Sequence, residues 1–190
     1  MFITTEQTPN PNTLKFGVGK EVRGDQTPLF FKKDTAGNPK AKAPIVEALF
    51  QIDDIESVFF GSDFITVGKN DNTEWWIVKP DILGTIMDHS KEPYVTEVET
   101  VESRIDAVLD EETSEVHSKI KQLLDDKVRP AVAMDGGDIT FCSFESGIVT
   151  LQMKGACAGC PSSTATLKMG IENMLRHYIP EVTEVRAAEL

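Results

Sequence analysis

Ile139-Thr140-Phe141-Cys142-Ser143-Phe144-Glu145-Ser146-Gly147-Ile148-Val149-Thr150-Leu151-Gln152-Met153-Lys154-Gly155-Ala156-Cys157-Ala158-Gly159-Cys160-Pro161 decides the fold of the second half of the chain. Runs 139–144 and 148–153 are strand-like and flank Glu145-Ser146-Gly147, a hairpin signal. Glycines and a proline then punctuate a Cys-x-x-Cys segment. Pro161 suits the first turn of a helix, where its missing N–H costs nothing. Downstream, Leu167, Ile171, Met174, Leu175 and Tyr178 share one helical stripe, Pro180 stops it, and 182–185 supply an edge strand. Upstream, Val116, Ile120, Leu123, Leu124 and Val128 follow the same period. Thr113 or Ser114 is the expected cap and Pro130 the expected end. The order is α-β-β-α-β, an α+β sandwich of one sheet and two helices.

Working outward, residues 1–89 form a second unit of short strands and helices. Runs 2–5 and 14–18 flank Thr8-Pro9-Asn10-Pro11-Asn12, a turn-rich segment, with residues 1–3 opening the first strand. Residues 44–52 predict a helix burying Ile45, Leu49 and Ile52. Runs 57–60 and 64–67 surround Gly61-Ser62-Asp63, another hairpin. Residues 74–89 carry apolar side chains at 75, 78, 82, 83 and 86, a helical period in which Pro80 predicts a kink or a late start. Residues 90–111 are rich in Glu and Thr and read as an acidic, solvated linker with room for a short helical stretch around 105–109. The expected fold class is therefore α+β: two small α+β domains, 1–89 and 112–190, joined by an acidic linker, 90–111.

Composition narrows the function. The chain has 190 residues, 40% of them apolar, and a formal net charge of −12. Residues 1–92 carry 10 basic and 14 acidic side chains, and residues 93–190 carry 9 and 17. That balance argues against nucleic acid, which selects basic surfaces. No run approaches the ~18 apolar residues of a membrane span. Three cysteines, an odd and sparse set, argue against a disulfide scaffold and for a reducing compartment. The first ten residues show no basic n-region, apolar core or Arg-rich presequence, so the chain reads as cytoplasmic, or as the mitochondrial matrix form of a processed organellar protein.

The chemistry sits at Cys157 and Cys160. Two thiolates at this spacing converge on one metal or one small cluster. Gly155 and Gly159 let backbone approach a ligand, and Ser162, Ser163 and Thr164 can donate hydrogen bonds. The following helix N-terminus is expected to favour the thiolate and an anionic ligand. Spacing alone leaves four readings: half of an iron–sulfur site, a zinc site, a dithiol redox pair, or two packed cysteines. A four-ligand zinc site would need Cys142 and His177. Cys142 is mid-strand, and His177 lies roughly 24 Å down the helix axis, at 1.5 Å per residue. A thioredoxin-type dithiol follows a strand in a βαβ unit, whereas here a hairpin precedes it. Cys142 reads as a packed residue, and His89, His117 and His177 as surface or packing. Asp135 and Asp138 read as turn residues bonding their own backbone, and at least one of Trp75 and Trp76 as core. No catalytic triad, Walker loop or dinucleotide fingerprint is present, so hydrolase and nucleotide readings lack support.

Several motifs together resemble one family. Met134-Asp135-Gly136-Gly137-Asp138, Gly155-x-Cys157-x-x-Cys160-Pro161-Ser162-Ser163, Thr166-Leu167-Lys168-x-Gly170-Ile171-Glu172-Asn173-Met174-Leu175 and Tyr178-Ile179-Pro180-Glu181-Val182 resemble the C-terminal domain of NifU/Nfu-type iron–sulfur proteins. Thr8-Pro9-Asn10-Pro11-Asn12-x-Leu14-Lys15-Phe16, Ser57-Val58-Phe59-Phe60, Asp63-Phe64-Ile65-Thr66-Val67, Lys79-Pro80-Asp81-Ile82 and Ile86-Met87-Asp88 are similar to the Nfu N-terminal domain. The resemblance implies an iron–sulfur cluster carrier. It would receive a cluster from assembly scaffold donors and pass it to apo iron–sulfur enzymes. It would hold a [4Fe–4S] cluster, with [2Fe–2S] as the alternative, between the Cys157 and Cys160 pairs of a homodimer. Cys142 has no counterpart in the family motif. A zinc-binding interaction module and a thiol–disulfide oxidoreductase are the competing functions. The first domain, lacking cysteine, is expected to recognise partners or tune orientation.

Overall fold

The computed structural model describes residues 2–24, 27–34, 38–98, 111–158 and 161–188, with the side chains of 111–114 and 161–163 excepted. The expected helical stretch at 105–109, and Cys160 itself, lie outside the described residues.

The first half folds around five antiparallel strands: β1 (Thr4–Gln7), β2 (Thr13–Gly17), β3 (Leu29–Lys32), and, after the short β4 (Ala41–Lys42) and helix α1 (Pro44–Phe50), β5 (Ile55–Phe60) and β6 (Phe64–Lys69). Their order in the sheet is β1-β2-β6-β5-β3. Helix α2 (Trp75–Asp88) follows. Alternation puts Leu14, Phe16, Val58, Phe60, Ile65 and Val67 on one face, in one buried core with Ile45 and Leu49 of α1 and Val78, Ile82 and Ile86 of α2. Strand β7 (Glu97–Val98) pairs with β4, and Tyr94 is buried in the same core, so residues beyond 89 also pack on the first unit.

Two expectations fail here at exposed positions. The first strand begins at Thr4, and Phe2 is 94% exposed. Helix α2 starts at Trp75 and continues through Pro80, so the late start does not occur. The carbonyl that loses its donor belongs to Trp76, itself 76% exposed, so water can replace the bond. Trp75 is the core tryptophan of the pair, its Nε1 donating to Pro11 O at 2.8 Å.

The second half contains α3 (Glu111–Leu123), a π-helical turn (Leu124–Val128), α4 (Arg129–Met134), the hairpin β8 (Gly137–Glu145) and β9 (Ile148–Gly155), α5 (Pro161–Tyr178) and β10 (Glu184–Ala187). Strand β10 pairs parallel to β9, and the sheet order is β10-β9-β8. The helices bury Ile120, Leu124, Val128, Ile171 and Leu175 against Ile139, Val149 and Leu151. The hairpin turn has φ of 50° at Ser146 and 82° at Gly147, the two positive angles of the tight turn that matches strand twist.

Pro130 does not end the first helical run. It sits at the start of α4, just after the π turn. Widening the helix there restarts it, so the proline lands in a first turn where no N–H is needed. Helix α3 begins at Glu111, ahead of both Thr113 and Ser114.

Candidate functional site

Cys157 lies two residues beyond β9 and four before α5. Gly155 ends the strand at φ 63°, a left-handed turn that diverts the chain. A Cβ there would come within 2.6 Å of Gly136 O and 3.0 Å of the Phe59 ring, so what approaches this glycine is protein. Ala156 N donates to Gly136 O at 3.2 Å, tying the loop to the turn before β8. Gly137 makes the decisive space. A Cβ at that position would overlap the Cys157 Sγ and stand 2.9 Å from Lys154 O. Thr164 Oγ1 donates to Cys157 O at 3.1 Å, so this hydroxyl holds the loop backbone.

The Cys157 side chain is 7% exposed. It borders a cavity of about 430 Å³ that Val132, Asp135, Thr166 and Leu167 line from the second half and Pro9 from the first. Burial pushes the Cys157 thiol up to about 12, and the carboxylates Asp135 and Asp138 push the same way. The expected thiolate bias is therefore reversed at this cysteine. Desolvation and two nearby acids outweigh a helix N-terminus that begins four residues later.

Asp138 does not close a turn on its own backbone. It is buried in β8 and takes a bidentate ion pair from Arg129, Nε to Oδ1 at 2.8 Å and Nη2 to Oδ2 at 3.2 Å. Arg129 Nη1 also reaches Asp125 at 3.0 Å. The pair fastens α4 to the strand that lies beneath Cys157. Cys142 occupies the extra position of a β-bulge between Phe141 and Ser143, half-buried, with burial raising its thiol pKa. His177 is exposed in the last turn of α5, and His117 is packed on Phe141 and Phe144. Among the described residues no group of three His, Cys, Asp or Glu side chains gathers to hold an ion.

Residues 3–93 match the model of the scaffold protein Nfu/NifU N-terminal domain, and residues 120–186 that of the NifU-like domain. The chain belongs to the Nfu/NifU family. The NFU1 iron-sulfur cluster scaffold homolog, mitochondrial, of Homo sapiens is 49% identical over 188 residues, spanning 97% of this chain and 71% of that protein. NifU-like protein 5, mitochondrial, of Arabidopsis thaliana is 46% identical, spanning 97% of this chain and 67% of that protein. The Drosophila persimilis NFU1 iron-sulfur cluster scaffold homolog, mitochondrial, is 44% identical, with 97% and 64% covered. The chain thus spans about two thirds of the length of these curated relatives.

In this Nfu/NifU chain, residues of the first half also reach the cysteine loop, which sequence reading missed. Asn10 Nδ2 donates to Ala158 O at 3.0 Å, Lys15 Nζ to Met134 O at 3.0 Å, and Thr66 Oγ1 to Gly136 O at 2.8 Å. A signal was present in the sequence. Phe59, Phe64 and Thr66 alternate away from the core face yet are 1%, 4% and 2% exposed, so β5 and β6 are buried on both faces. Near-continuous apolar runs in antiparallel strands mark a sheet covered on both sides.

Proposed function

We propose that this chain is an iron–sulfur cluster scaffold and carrier, and that Cys157 and Cys160 are the ligands each of two chains contributes to a shared [4Fe–4S] cluster. The observation that carries this reading is the seat of Cys157. Its sulfur rests over a residue with no side chain, at the edge of a cavity of about 430 Å³, within a Cys-x-x-Cys segment. Membership of a family whose relatives are named as cluster scaffolds supports it.

Iron–sulfur clusters take four protein ligands, and one Cys-x-x-Cys offers two, so two chains complete the set. Ligation requires the thiolates, and loading therefore releases the proton that burial keeps on Cys157. Apo iron–sulfur proteins would take the cluster by exchanging their own thiolates for these. That is ligand exchange without catalytic turnover. The relatives named as mitochondrial favour that setting over a bacterial cytoplasm.

Anaerobic reconstitution followed by iron, sulfide and native-mass analysis tests the reading. Wild-type chain should carry about four irons per two chains, the number a Cys₄ cluster implies. Cys157→Ala and Cys160→Ala should each abolish it, and Cys142→Ala should leave it. Full iron retention by Cys157→Ala, or stoichiometric zinc without sulfide, would overturn the assignment.

A further inference from the structure

The three hydrogen bonds from the first half end on three backbone carbonyls, Met134, Gly136 and Ala158, which bracket the two segments that seat Cys157. All three donors come from the outer face or outer turn of the first sheet. Phe59 closes on the same loop from β5, beside Gly155. Gly136, at φ 82°, permits the contact, since a Cβ there would lie 2.8 Å from Thr66 Oγ1. Strands β5 and β6 therefore touch β9, and the first half covers the loop that carries the cysteine.

The contact combines Phe59 and Phe64, buried on the outer face of the sheet, with the three side chain-to-carbonyl hydrogen bonds, and it is loosely filled. Cavities of about 430, 270 and 240 Å³ lie along it, each lined by residues of both halves. Open clefts of this size leave the two surfaces incompletely packed, so the side chain-to-carbonyl hydrogen bonds contribute to the closure beside Phe59 and Phe64. A cluster shared by two chains needs Cys157 open to the second chain; Cys157 is 7% exposed, and Pro9 of the first half closes one side of the cavity it borders.

We infer that the first sheet is a reversible cap: Asn10, Lys15 and Thr66 hold the Cys157 loop closed in the empty protein, and loading requires that contact to open. Access to Cys157 is then set by a domain-opening equilibrium. The loading half of this inference rests on the cluster-scaffold reading above. The access half does not.

The test uses the full chain with Asn10→Asp, Lys15→Met and Thr66→Val combined. Asn10→Asp keeps the Oδ1 acceptor that Asn12 N uses at 3.0 Å and removes the donor to Ala158. Thr66→Val is close to isosteric, and Lys15→Met keeps the stem. Iodoacetamide labelling of the apo protein, read by peptide mass spectrometry at one pH, compares Cys157 with Cys142. Losing three net hydrogen bonds should speed Cys157 labelling on the order of a hundredfold, with Cys142 unchanged. Equal Cys157 rates in variant and wild type overturn the cap. Should both cysteines speed up together, the variant has loosened globally, and Thr66→Val alone decides: a selective rise of about fivefold at Cys157 supports the cap and no rise overturns it.

Cluster loading gives the second arm. The variant should load faster than wild type to the same final iron content, and slower or lower loading overturns the cap in favour of a purely positioning contact. Selective labelling with no iron bound by either protein leaves the cap standing and sinks the scaffold reading. Iron bound with no selective labelling does the reverse.

Discussion

Replacing Gly137 with alanine tests the seat of the cysteine directly. The added Cβ overlaps the Cys157 Sγ and meets Lys154 O at 2.9 Å and Cys157 N at 3.0 Å. Two of these three neighbours are backbone, fixed by the β8–β9 register in which Gly137 faces Gly155 and Asp138 faces Lys154. They cannot swing aside as a side-chain tip would, so the sulfur must move. Overpacking of this kind costs about 1–3 kcal/mol, offset by the smaller entropy that alanine removes from the unfolded chain. We expect a net loss of about 2 kcal/mol, read as a urea midpoint about 1 M lower at an m-value of about 2 kcal/mol/M. Cluster retention after reconstitution should fall as well, because the displaced atom is a proposed ligand. Gly170→Ala is the control. It lies in α5 with nothing within 4 Å of a new Cβ and should raise stability by up to about 1 kcal/mol. A Gly137→Ala protein as stable as wild type, holding full iron, would refute the proposed packing of Cys157.

Two further expectations concern charge. Arg129→Ala strands the buried Asp138 carboxylate and should cost about 2 kcal/mol, less than a fully buried pair because Arg129 is about a third exposed. Asp125→Ala removes only the exposed partner of Arg129 and should cost under about 1 kcal/mol; equal urea midpoints for the two variants would contradict this ranking. The Cys157 thiol sits at about 12 when folded, above an ordinary thiol near 9.0, so its contribution to stability is whole below pH 9 and is lost as pH rises toward 12. The stability difference between wild type and Cys157→Ala should shrink by about 1.4 kcal/mol from pH 8 to pH 10, at 1.36 kcal/mol per unit. A difference constant across urea titrations at those pH values would contradict it.

Much of the architecture was legible in residue patterns alone. Period-2 runs on either side of Ser146-Gly147, and the stripe through Ile171 and Leu175, were enough for the α-β-β-α-β order, because local burial and turn chemistry speak within a few residues. The late start at Pro80 and the stop at Pro130 were misjudged for the opposite reason. A proline is tolerated where water, or a π turn upstream, removes the need for its N–H, and neither condition is written in the proline itself. Strands β3 and β4 escaped notice because four- and two-residue runs carry too little period to read.

The cysteine pair was equally plain in the sequence, since a Cys-x-x-Cys bounded by glycine and proline announces itself by spacing. Its environment was not. The charge state of Cys157 depends on Asp135, Asp138 and the depth of burial, and the cavity beside it is lined partly by Pro9, more than a hundred residues upstream. Asn10, Lys15 and Thr66 look like turn and strand residues until the two sheets are placed against each other. The sequence by itself determined most of the elements, their order and the Cys-x-x-Cys spacing, because those follow from local pattern and side-chain chemistry. Only the tertiary structure decided that Cys157 is buried and held as the neutral thiol, and that the loop carrying it is tied to the other half of the chain, because desolvation and long-range hydrogen bonds are sums over neighbours that no local window contains.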